Sequence, residues 1–93
     1  MAHAVVMRVR FREGQTPEDG QRMLEDVVIP MAKSQSGFNN GTWMHDGKGN
    51  GIGVIVFNTA ENAESAQDAL KPPPGGPGPE LISSDLYEVG GQA

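Results

Sequence analysis

Residues 36–58 read SGFNNGTWMHDGKGNGIGVIVFN, and the fold turns on how that stretch is parsed. Phe38 to His45 alternates as a strand does, with Phe38, Asn40, Thr42 and Met44 on one face and Asn39, Gly41, Trp43 and His45 on the other. Asp46-Gly47-Lys48-Gly49-Asn50-Gly51 supplies glycines and an Asn that tolerate positive φ, which marks a turn. Ile52 to Phe57 then forms a short β-branched run that is apolar on both faces, so it requires cover on both sides of its sheet. A hairpin at Asn40-Gly41 is the rival reading. It would leave only Phe38 and Asn39 as the preceding strand, so a bulge or a close backbone approach fits that position better.

Working outward, His3 to Arg12 alternates, with His3, Val5, Met7, Val9 and Phe11 opposite Ala4, Val6, Arg8, Arg10 and Arg12. Thr16 is a good N-cap, followed by Pro17 at the first helical position and by Glu18 and Asp19 at the positive helix end. Met23, Leu24, Val27, Val28 and Met31 recur at helical spacing. Pro30 would cost ~3 kcal/mol or more inside an ideal helix, which predicts a kink there and a last turn through Lys33. Beyond the central hairpin, Thr59 caps a helix over 60–70 whose inward side is Ala63, Ala66, Ala69 and Leu70. Lys71 to Glu80 carries five prolines and three glycines and reads as a semi-extended loop. Leu81 to Val89 is the last strand, and residues 90–93 are a frayed tail.

Ninety-three residues make one domain with a limited core, burying roughly 60–70% of the unfolded surface. The chain has no cysteine, which excludes disulfides and thiolate chemistry and fits a reducing compartment. A net charge of −5 argues against a nucleic-acid partner. No apolar run approaches the ~20 residues of a membrane span, and no basic-then-apolar leader precedes the first strand, so a cytoplasmic location is expected.

The element order β-α-β-β-α-β is the split βαβ, ferredoxin-like plan, an α+β fold. Right-handed crossovers give an antiparallel sheet in the order 4-1-3-2 with both helices on one face. The other face is then bare, with Trp43 and one side of strand 3 expected on it. An uncovered apolar face of that kind is an interface, and two such sheets closing on each other as a homodimer would enclose a cavity.

The succession of a helix ending VIPMAKSQSGF (28–38), a strand carrying GTWMHD (41–46), GIGVIVFNTAENAESAQ (51–67) and a final DLYEV (85–89) resembles the antibiotic biosynthesis monooxygenase-like proteins of the dimeric α+β barrel superfamily. That resemblance spans about residues 4–89 and implies a dimeric barrel. It also implies a cofactor-independent monooxygenase, in which Asn and Trp hold a phenolic substrate that reacts directly with oxygen. Haem-degrading relatives spread an Asn, a Trp and a His over separate strands. Asn39, Trp43 and His45 lie on one strand here, which departs from that arrangement, and no cofactor is expected.

On this reading Trp43 stacks on a planar ligand, Asn39 and His45 bind its oxygens, and His45 serves as the base. Arg8 would bind an acidic group and Tyr87 would donate to the ligand. The plainer alternatives are that Trp43 anchors the dimer, that the arginines pair across strands with Glu88 or another acid, and that Tyr87 is an ordinary strand residue. The two histidines have no metal-ligand spacing, so no metal site is expected. The glycines of 47–53 lead into a strand rather than a helix, which makes a phosphate-binding loop a poor reading. Met7, Met23, Met31 and Met44 read as core packing. Two functions follow: an enzyme acting on a small aromatic metabolite, or a homodimer that binds a small apolar ligand or none and does no chemistry.

Overall fold

The computed structural model describes residues 1–72, 75–76 and 78–93. Four strands, β1 (His3–Arg10), β2 (Phe38–His45), β3 (Asn50–Phe57) and β4 (Glu80–Glu88), form one antiparallel sheet in the order β2-β3-β1-β4. Read from the opposite edge, that order is 4-1-3-2. The helices are α1 (Pro17–Met23), α2 (Ile29–Ser34) and α3 (Ala60–Ala69), with a π-helical turn (Leu24–Val28) joining α1 to α2. The loop expected over 71–80 includes Pro73, Pro74 and Pro77, which lie outside the described residues.

The starts of α1 and α3 are capped as their sequences require. Thr16 Oγ1 accepts from Asp19 N at 3.1 Å, and Thr59 Oγ1 accepts from Asn62 N at 3.1 Å. At the expected irregularity, Pro30 lies in the first turn of α2, just after the π turn. Ile29 N–H bonds to Leu24 O, five residues back, so the ladder has already changed step where the proline lacks its own donor. The turn inserts one extra residue into the helical repeat. Downstream the inward position therefore falls on Ala32, which is fully buried, while Met31 and Val27 remain 44% and 49% exposed.

The core is thin. Val5, Met7, Ile55 and Phe57 on the sheet meet Ala32, Ala63 and Ala66 on the helices, with Phe38, Trp43, Leu70 and Leu81 packed at its margin. Phe38 and Phe57 meet edge to face with ring centroids 6.2 Å apart. Small alanines let α3 lie close on the sheet, but Ala69, expected inward, is exposed. Gln67 Nε2 ties α3 to β4 by donating to Ser84 O and Oγ, each at 3.0 Å.

Candidate functional site

The strand register sorts every sheet residue onto one of two faces. Val5 pairs with Ile55 and Met7 with Gly53, and all four face the helices. Trp43 is the cross-strand partner of Gly53 and Gly41 that of Ile55, so Trp43 and His45 also belong to the helix side. This corrects the expectation that Trp43 lies on the bare face. The indole rests on two glycines: a Cβ at Gly41 would come within 2.6 Å of its Cη2, and one at Gly53 within 2.9 Å of its Cδ1 and Nε1. Trp43 is thus half-buried against the core rather than offered as a platform at the sheet's open side.

Asn39 leaves the expected trio for a different reason. The β2–β3 register slips between Phe38 and Asn40, a bulge that inserts one residue and breaks the alternation counted from Phe38. Phe38 and Trp43 consequently both reach the core, and Asn39 is exposed at the bulge. Its Nδ2 donates to Asn58 Oδ1 at 3.2 Å and its Oδ1 accepts from Asn40 Nδ2 at 2.9 Å, which engages its amide within the protein. Trp43 and His45 remain on one side; Asn39 does not join them.

His45 is exposed at the end of β2 and contributes to an open groove of about 460 Å³ whose other walls are Pro17, Glu18, Gln21 and Arg22 of α1 and Glu25 of the π turn. Alternation counted forward from Phe38 missed this placement. The local signal was Gly41, two residues before the tryptophan; that Gly53 lies opposite Trp43 emerges only from the register.

The opposite face carries Arg8 and Tyr87, as expected. By register it presents Ala4, Val6, Arg8 and Arg10 from β1, Ile52, Val54 and Val56 from β3, and Met44 from β2. Ala4 and Val56 are buried, Val6, Ile52 and Val54 are half-buried, and Met44 is 49% exposed, so Met44 is not a core residue. Tyr87, opposite Ala4, is 55% exposed, and Arg8, opposite Ser83, is exposed. Four residues of β1 separate those two heights, about 13 Å along the strand. The expected cross-strand pairing of the β1 arginines with Glu88 or another acid does not form among the described residues; Glu88 stands opposite His3. Among the described residues the ion pair present is Arg22–Asp19, at 3.8 Å on α1. A β4 bulge between Leu81 and Ser83 also breaks the alternation there, leaving Leu81 against the core and Ile82 56% exposed.

The β2–β3 turn is organised by Asp46. Asp46 Oδ2 accepts from Asn50 Nδ2 at 2.8 Å, while Oδ1 accepts from Lys48 N at 2.7 Å and Asn50 N at 3.2 Å. The Asn50 side-chain amide foremost, then these backbone N–H groups, hold the carboxyl below its ordinary value of 3.8. A depressed folded-state value means the turn's contribution to stability is present above 3.8 and is lost as pH falls through the lower folded value. Thermal unfolding of Asp46→Asn is therefore expected to show a shallower acid dependence below pH 4 than the parent chain (identical slopes would contradict this).

No protein-family model matches the sequence, and no curated protein matches it. Among solved structures, the chain superposes on a protein provisionally named an antibiotic biosynthesis monooxygenase, from Chloroflexus aurantiacus J-10-fl. The superposition has a TM-score of 0.64, spans 100% of this chain and 98% of that one, and runs at 18% identity. The two share a fold. At that identity the likeness concerns architecture, which hosts many chemistries. Among the described residues no helix is long and apolar enough to cross a membrane, and no group of three or more metal-ligating side chains gathers.

Proposed function

We propose that this chain works as a homodimer whose two sheets close face to face as an α+β barrel and that it binds a small aromatic or apolar metabolite. The observation that carries the reading is the open face of the sheet, where Val6, Ile52, Val54, Met44 and Tyr87 keep contact with solvent although the helices cover only the other side. The likeness in architecture to the Chloroflexus protein supports the same plan. Arg8 and Tyr87 are the polar groups available to a ligand held between the sheets, Arg8 for an acidic substituent and Tyr87 for a hydrogen bond. Sedimentation at micromolar concentration, paired with thermal-shift measurements over aromatic metabolites, tests it. A dimer stabilised by an aromatic acid, with the shift reduced in Arg8→Gln, is the expected result; a monomer unmoved by every compound overturns the proposal.

A catalytic reading is favoured by one separate feature, the groove beside His45 on the side that also holds Trp43. Cofactor-independent oxygenation of a phenol or anthrone requires a base to form the electron-rich anion that oxygen attacks, and His45 is the imidazole at that groove. Oxygen uptake with an anthrone or quinol, lost in His45→Ala, would select the enzyme. A ligand shift without oxygen uptake selects the non-catalytic binding homodimer.

A further inference from the structure

We infer that the open face meets a second copy of this chain in a charge-set register, with Arg10 of one copy lying against Glu80 of the other. The inference rests on the homodimer reading above and names what aligns its two halves. Arg10 and Glu80 are direct cross-strand partners at the end of β1 and β4, and both are exposed. Standing side by side, they nevertheless form no ion pair with each other or with any other described residue.

A two-fold contact presents the same patch to itself. If the second sheet is laid with its β4 above β1, each cation faces a carboxylate; if β1 lies above β1, arginine faces arginine in a layer from which water is being removed. The second arrangement sets like charges against each other across the contact, whereas the first sets each charge against its opposite, so the first is favoured. Packed sheets lie about 10 Å apart, a gap that a long arginine and a glutamate can bridge from opposite sides. Sheets also cross at an angle, so the edge strand of one runs over the central strands of the other and can cover Val6 and Val54 in the same contact. Arg8, further along β1, is left to the ligand.

Two single variants separate a contact between copies from one within a chain. Arg10→Glu places two acids on each copy, and Glu80→Arg places two bases. Each alone is expected to dimerise at least ten-fold more weakly than the parent, while an equimolar mixture recovers a heterodimer of parent-like affinity, read by sedimentation with one variant fluorescently labelled. Pairing within a chain predicts no gain on mixing, so a mixture as weak as its components overturns the inference while the parent dimer stands. A monomeric parent overturns the homodimer reading as well. Circular dichroism confirms that each variant is folded. Should either fail to fold, Arg10→Gln gives an independent readout: dissociation of the parent should rise with salt and that of the variant should rise less, and equal salt dependence overturns the pairing.

Discussion

Gly37→Ala is expected to destabilise the fold by about 3 kcal/mol, lowering the unfolding midpoint by roughly 12–24 °C for a domain of this size. Two separate causes add. Gly37 has φ +76°, a left-handed conformation that a Cβ disfavours, and the new methyl would fall inside the Asn62 side-chain amide at the start of α3. Gly37 cannot easily move away, because its carbonyl accepts from Asn58 N at 2.9 Å and thereby fixes the joint between α2, β2 and the end of β3. Removing the amide in Asn62→Ala should restore the steric part in the double variant and leave the backbone part, about 1 kcal/mol, in place. Unfolding midpoints of the four proteins check the pair. A Gly37→Ala protein as stable as its parent would mean that this joint is not built as described.

Gly53→Ala should lift the indole from the sheet. The methyl would meet Trp43 Cδ1 and Nε1 at 2.9 Å, closer than van der Waals contact allows, and overpacking of this kind costs about 1–3 kcal/mol. Trp43 is the only tryptophan in the chain, so emission reports the change directly: a red shift and faster quenching are expected beside the lower midpoint. Trp43→Phe in the Gly53→Ala background should recover part of the stability, since the smaller ring leaves room for the methyl. Were the indole on the open face, Gly53→Ala would leave its emission unmoved.

These two glycines also mark where reading residues in order succeeds and where it stops. Thr16 and Thr59 announce their helices because a capping hydroxyl acts on an N–H three residues away. The strands are legible for a similar reason: alternation records a sheet with sides of different character. The glycine-rich turn at 46–50 needs only its own carboxylate and amides, and it too reads locally. Arg8 and Tyr87 fall on the expected face because nothing displaces the alternation of β1, and the shift in β4 lies before Tyr87.

The trio of Asn39, Trp43 and His45 was lost at one residue. Alternation has period two, so a single inserted residue exchanges the faces of everything counted across it. A bulge or close approach was legible at Asn40-Gly41, and the register does slip between Phe38 and Asn40, but which residue it displaces, and so which face each later side chain takes, is set by pairing with β3. The π turn before Pro30 is the helical form of the same event, moving the inward position from Met31 to Ala32.

What the amino-acid order determined by itself was the kinds of elements, their succession and the capping and turn chemistry that ends them, since those interactions close within a few residues. Tertiary structure decided which side of the sheet the indole occupies, where the histidine meets α1, and which charges stand together on the open face. Each of those depends on strand register, and register is set by partners distant in the chain whose small shifts carry every following side chain to the other face.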